Sequence, residues 1–304
     1  MSTFAAVGLL VLGLVLVVGG AELFFDGLLA SATRLGISAF LLTVVLSGLE
    51  LENLVAGIAA DLKGLPGAAA GTFLGGTTFI ALAVAGLSAA VAPIRATMPR
   101  GVLVGTAASP LPLLGLALDG DVSRLDGALL VAWFTFILAA IAYFGRGVLG
   151  GEKPARKRYA FARLVAGLGI LTGGGEALGE GIQRTVSHFG LSPTLLGNTA
   201  VAAAVEIEEV GRVVVPARHG RGDVSVGNLV GTIPHFIALN AGVIALVRPL
   251  HLDAASLHVH LPVAVASTVL FAGLLAWRNG LGRLEGLLLL ALYAGYIAVS
   301  IVVG

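Results

Sequence analysis

The sequence predicts an all-α polytopic membrane protein of ten transmembrane helices, folded as two inverted five-helix repeats. Three observations carry the prediction. Apolar residues make up 57% of the 304, charged residues only 12%, and mean hydropathy is +1.00, whereas soluble domains carry roughly 25% charge. Ten stretches are apolar enough and long enough for a crossing, which needs about 20 residues. The two halves also align with one another in register.

In the first half the spans fall at 4–32, 39–62, 67–92, 100–118 and 125–147; in the second they fall at 160–186, 193–217, 222–248, 258–278 and 284–302. This divides the chain into a first repeat over 1–149, a basic linker over 150–159 and a second repeat over 160–304. The loops are too short for a soluble domain. The start has an apolar core but no Lys or Arg ahead of it, so it reads as the first span rather than a signal peptide. The absence of cysteine excludes disulfides and thiolate metal sites, and a net charge of +1 carries no hint of nucleic acid.

Cytoplasmic loops are enriched in Lys and Arg. One set of loops and helix ends holds fourteen of these residues, among them Arg34, Arg95, Arg146, Lys153 and Arg278; the other holds four, Lys63, Arg124, Arg184 and Arg248. The first set is therefore assigned to the cytoplasm and both termini to the outside, in the plasma (inner) membrane. Arg212 counts with the cytoplasmic set and is expected to point to that end.

Gly20, Glu22, Asp26, Gly27, Gly36 and Ser38 match Gly174, Glu176, Glu180, Gly181, Gly190 and Ser192 at a shift of 154. Thr43, Glu50, Glu52, Gly71, Gly75 and Pro93 match Thr199, Glu206, Glu208, Gly227, Gly231 and Pro249 at 156. An odd number of spans reverses the second copy. Inverted repeats are the architecture of secondary transporters, with the substrate site near the midplane between them.

At equivalent places in the second and seventh spans the chain carries Gly48-Leu49-Glu50-Leu51-Glu52-Asn53 and Ala204-Val205-Glu206-Ile207-Glu208-Glu209. A charge at the bilayer centre costs roughly 2.5–3.5 kcal/mol, and such residues default to ion or proton paths. The candidate cation ligands are Glu50, Glu52, Asn53, Glu206, Glu208 and Glu209, because hard cations such as Ca²⁺ take carboxylate and amide oxygens. Thr43, Thr199 and Thr232 are auxiliary candidates. On an unbroken helix Glu50 and Glu52 stand about 200° apart, so both reach one ion only if the helix unwinds; otherwise one glutamate of each pair holds helices together.

Glu22 and Asp26, like Glu176 and Glu180, are spaced to share a helix face and line either a cation entrance or a hydrated vestibule. His235, next to Pro234, is either a proton carrier or a satisfied interior residue. His251, His258 and His260 belong to a solvated outer loop and its edge. Gly71 with Gly75, and Gly227 with Gly231, have the four-residue spacing that lets helix backbones approach closely.

These motifs resemble the cation/Ca²⁺ antiporter superfamily of sodium/calcium exchanger-like proteins over nearly the whole chain. Gly-Ala-Glu at 20–22 and Gly-Gly-Glu at 174–176 match the family's glycine-small-acid opening of the first and sixth helices, which in the family slide past the core. The resemblance implies a secondary-active antiporter working by alternating access. It implies no enzyme activity and no cofactor, with inorganic cations and the lipid bilayer as partners. The family's final acid falls on Asn53 and Glu209, so only Glu209 keeps the familiar ligand. The polar ligand expected in the third and eighth helices falls on Ile80 and Phe236.

Five carboxylates crowded in a low-dielectric interior cannot all hold their charge, and a bound divalent cation would expel their protons. The expected exchange is therefore a divalent cation such as Ca²⁺ against H⁺. Na⁺-coupled exchange is the alternative, with a cation channel and an intramembrane hydrolase behind it.

Overall fold

From Thr3 to Leu35 the chain runs for 33 residues without a proline, rich in Leu, Val, Ala and Gly, and forms one helix, α1. In lipid every backbone N–H and C=O has to be satisfied within the segment, which a helix achieves. The same rule shapes the rest of this computed structural model, which describes residues 3–47, 51–148, 159–188 and 207–303. The first half continues with α2 (Ala39–Leu46), α3 (Leu51–Leu62), α4 (Pro66–Thr78), a π-helical stretch Phe79–Val84, α5 (Ala85–Val91) and β1 (Ile94–Arg95). It ends with α6 (Arg100–Ala108), α7 (Leu111–Leu116), β2 (Asp121–Val122) and α8 (Arg124–Gly145). The second half opens with α9 (Ala160–His188), α10 (Ile207–Arg218), α11 (Gly222–Pro234), a π-helical stretch His235–Asn240, α12 (Ala241–Val247) and β3 (Leu250–His251). A short π-helical stretch Ser256–His260, α13 (Leu261–Arg278), β4 (Gly280–Leu281) and α14 (Arg283–Val303) complete it.

Among the described residues, six helical runs are long and apolar enough to cross a membrane: Gly8–Leu35, Pro66–Val91, Arg124–Gly145, Gly222–Val247, Ser256–Arg278 and Arg283–Val302. The fourth expected span, 100–118, is interrupted: α6 stops at Ala108, and α7 starts at Leu111, beyond Pro110. A proline cannot donate the bond that would continue the helix.

The halves repeat each other element by element. The run from α3 to β1 recurs from α10 to β3 at an offset of 156, π-helical stretch included, and β2 and α8 recur as β4 and α14 at an offset of 159. The halves also interlock reciprocally. β1 pairs antiparallel with β4 (Ile94↔Leu281, Arg95↔Gly280) and β3 with β2 (Leu250↔Val122, His251↔Asp121), so each ribbon takes one strand from each half in the same register. Glycines do likewise: a Cβ at Gly86 would lie 2.9 Å from Gly286 O, and one at Gly242 2.8 Å from Gly127 O. These contacts bring α5 against α14 and α12 against α8.

The first helix of each half lies against the other in an antiparallel pair. Gly13, Gly20 and Gly27 on α1, and Gly167, Gly174 and Gly181 on α9, recur every seven residues, two helical turns apart on one face. A Cβ at Gly27 would lie 2.3 Å from Leu164 N, and one at Gly167 2.2 Å from Phe24 N. The helices therefore touch backbone to backbone, as small residues permit in membranes.

At the centre, α2 of the first half packs on α11 of the second. Gly227 faces Phe40 and Thr43, and a Cβ at Gly231 would fall 2.0 Å from Ser47 Oγ and 2.7 Å from Val44 O. Helix packing thus accounts for the spacing of Gly227 and Gly231. Gly71 and Gly75 meet nothing within 4 Å among the described residues. Gly231→Ala is expected to lower the thermal unfolding midpoint of the detergent-purified protein, since overpacking a tight contact costs about 1–3 kcal/mol. Gly273→Ala, whose Cβ meets nothing within 4 Å, is the control, and equal midpoints would refute the close approach.

Candidate cation site

The seventh span enters the described structure at Ile207, and its first residues, Glu208 and Glu209, form the opening turn of α10. Arg212 follows one turn later. Helical side chains lean towards the N-terminus, over the preceding turn. The guanidinium accordingly turns back onto both acids: Nη2 donates to Glu208 Oε1 at 3.2 Å, and Nη1 donates to Glu209 Oε1. The Arg212 and Glu209 side chains are 4% and 0% exposed. Arg212 therefore turns back from the C-terminal end of its span, where its place in the charge count put it, and is an interior residue.

Both acids have further partners. Asn228 of α11 donates its side-chain amide to Glu209 Oε2. Thr172 of α9 donates to Glu208 Oε2 at 2.7 Å. The Arg212 guanidinium carbon also stands 5.8 Å from the Phe24 ring centroid of α1, within cation–π range. Gly211, beside it, lets Ala21, Val17 and Leu171 come to within 3.3–3.4 Å of where its Cβ would be. The α1–α9 pair thus meets the ion-paired turn of α10 directly.

The floor of this region joins the two halves. Thr232 Oγ1 donates to Asn228 O at 3.0 Å and across the repeats to Ser47 O at 3.2 Å. Thr43 is buried and donates its hydroxyl to Ala39 O at 2.7 Å, which leaves the oxygen's lone pairs unused by that bond. His235 is 8% exposed; its Nδ1 lies 2.7 Å from Gly231 O, and its ring meets Phe134 edge-on at 4.5 Å. That is the geometry of a satisfied interior histidine. Ile80 and Phe236 are fully buried, the latter packed on Gly76.

Asn53 sits half-buried on the first turn of α3, and Glu52 precedes it there. Glu50, Glu206 and Thr199 lie outside the described residues. Glu22 of α1 approaches His219 Nε2 at 3.7 Å, beyond the C-terminal end of α10, while Glu176 is exposed on α9. Both belong to the helix pair rather than to the buried cluster. Asp26 pairs with Arg163 at 3.5 Å. His251 Nδ1, on β3, meets Asp121 at 2.9 Å, and His260, at the end of the stretch Ser256–His260, meets Tyr296; among the described residues no three His, Asp or Glu gather as a metal-holding group.

A family model for the sodium/calcium exchanger protein matches residues 5–143 and 159–302. The chain belongs to the sodium/calcium exchanger family. It is an integral membrane protein, and the family is one of exchangers. Among relatives of this exchanger chain, a putative antiporter, CaxA of Alkalimonas amylolytica, is 28% identical, with 93% of this chain and 95% of the relative covered. Inner membrane protein YrbG of Escherichia coli (strain K12) is 28% identical, covering 93% of each. Sodium/calcium exchanger MaX1 of Methanosarcina acetivorans is 23% identical over 96% of this chain and 97% of its own. A solved structure of the sodium-calcium exchanger NCX_Mj superposes with TM-score 0.82 at 24% identity, covering 98% of this chain and 99% of that one. The exchanger fold is thus shared.

Three members of this exchanger's buried cluster are not among the candidate site residues of the sequence: Arg212, Asn228 and Thr172. For Arg212 the signal was present, since residues three and four apart on a helix are neighbours. Asn228 lies inside the Gly227–Gly231 spacing, whose small residues explain helix packing without it. Thr172 reaches Glu208 only through tertiary packing, and its sequence position carries no sign of it.

Proposed function

We propose that the chain is a secondary-active cation antiporter that exchanges a divalent cation such as Ca²⁺ for H⁺ by alternating access, with its site at the midplane between two inverted five-helix repeats. The repeats are 1–149 and 160–304, joined by the basic linker 150–159, with ten spans and both termini outside the plasma (inner) membrane. One observation carries the reading: a buried carboxylate, amide and hydroxyl cluster where α10 packs on α11 and α11 in turn meets α2 of the other half. Glu50, Glu52, Asn53 and Glu206 complete the proposed ligand region. Carboxylates at that depth default to ion or proton paths.

Proton coupling rests on what surrounds the cluster. Ile80 and Phe236 fill with hydrocarbon the positions where polar ligands for additional Na⁺ would stand, and crowded carboxylates exchange protons for a divalent cation by charge alone. The Na⁺-coupled alternative draws on the names of relatives such as the sodium/calcium exchanger MaX1. Proteoliposomes separate the two. An imposed pH gradient is expected to drive Ca²⁺ uptake without Na⁺, with apparent Ca²⁺ affinity weakening as pH falls. Ca²⁺ flux driven by a Na⁺ gradient and indifferent to pH would replace this reading with Na⁺ coupling. Absence of saturable counterflow would remove the antiporter altogether.

A further inference from the structure

The two halves carry the same elements but different charges at the cluster. At the offset of 156, Glu208 corresponds to Glu52, Glu209 to Asn53, Arg212 to Ala56 and Asn228 to Thr72. The second half therefore gains an acid at the last motif position and, one turn on, a base. The first half has neither. With every group ionised, three carboxylates and one guanidinium in the second half (Glu206, Glu208, Glu209, Arg212) carry the same formal charge as two carboxylates in the first (Glu50, Glu52).

We infer that Arg212 is a tethered cation. Its guanidinium fills the oxygen-lined pocket of Glu208, Glu209 and Asn228 in place of an ion drawn from solution, and so lowers by one the number of cations the carrier binds. The inference deepens the antiporter reading and rests on it for the meaning of the count. The geometry supports it at each contact. Both oxygens of Glu209 are taken, one by Arg212 and one by Asn228, at a side chain that is 0% exposed. Glu208 is likewise held by Arg212 and Thr172. A pocket made of two carboxylates, an amide and the Thr172 hydroxyl has the composition of a hard-cation site. A planar guanidinium on a three-carbon stem satisfies the same oxygens as a permanent charge that cannot be exchanged.

A merely structural ion pair would leave no site behind when the arginine is removed; a tethered cation leaves an empty one. Arg212→Gln keeps hydrogen-bonding capacity and removes the charge. The purified variant, dialysed to equilibrium against Ca²⁺ or Na⁺ with choline as the balancing cation, is expected to bind one more equivalent of cation than the parent. Its unfolding midpoint should also rise with cation concentration more steeply, because a ligand of the native state stabilises it by mass action. Arg212→Lys, which retains the charge, should bind no extra cation, and adding Glu209→Gln to Arg212→Gln should abolish the gain. Should Arg212→Gln fail to fold in choline alone, its folded yield is expected to be restored by Ca²⁺ or Na⁺. No extra equivalent, or no rescue at any cation concentration, overturns the inference. Flux in proteoliposomes does not enter this test, so a parent without antiport activity would remove the functional reading and leave the cation count to be decided by dialysis.

Discussion

Replacing Glu50 or Glu206 singly by Gln is expected to abolish Ca²⁺ exchange in proteoliposomes while leaving folded protein in the membrane. In the proposed inverted repeat these two residues hold equivalent positions, one from each half, on either side of the proposed site. If Arg212 holds Glu208 and Glu209, the carboxylates left to meet a mobile cation are Glu50, Glu52 and Glu206. Neutralising Glu50 or Glu206 removes one of the three charges that attract the ion and, with it, one anionic ligand. Interactions with charged groups contribute about 1.5–3 kcal/mol each, which is one to two orders of magnitude in affinity. Gln preserves shape and one oxygen, so a fall in transport reports the lost charge. Wild-type flux in either single variant, with normal yield and unfolding midpoint, would show that the ion is not held from both sides.

The spans were legible because lipid imposes them. The stretches 67–92, 125–147 and 222–248 differ by at most two residues from the runs Pro66–Val91, Arg124–Gly145 and Gly222–Val247, since hydropathy marks where hydrocarbon begins and ends. The repeat was legible for the same reason: equivalent positions face equivalent surroundings. What escaped was whatever depends on the direction of a side chain or on a partner distant in sequence. Arg212 was counted with the basic residues of the loops, yet its side chain leans back along the helix onto two acids. The two-residue strands β1 to β4 are too short to show any periodicity. The repeat pairs Gly20 and Gly27 with Gly174 and Gly181, but that the spacing of seven, with Gly13 and Gly167, forms one contact face depends on a partner helix distant in sequence.

That face yields the other large effect. Gly27→Ala and Gly167→Ala are each expected to destabilise the protein, lowering its unfolding midpoint and folded yield, whereas Gly19→Ala on the same helix should be neutral or stabilising. Alanine is favoured over glycine in a helix by about 1 kcal/mol, so helix propensity alone predicts stabilisation at all three positions. At Gly19 a Cβ meets nothing within 4 Å, while at Gly27 and Gly167 it falls 2.3 Å and 2.2 Å from backbone nitrogens of the opposing helix. A flexible side chain could move aside, but backbone nitrogens locked in a helix cannot. Relief would require α1 and α9 to separate along their length, loosening at once the contacts at Gly13, Gly20, Gly174 and Gly181. Overpacking costs about 1–3 kcal/mol where a core can adjust, and this interface sits at the upper end because it cannot. The pair also carries Thr172 to Glu208 and Phe24 to Arg212, so separating it pulls on the buried ion pair, and exchange should fall together with stability. If Gly27→Ala matches Gly19→Ala in unfolding midpoint, the two helices do not touch backbone to backbone and need not move as one body.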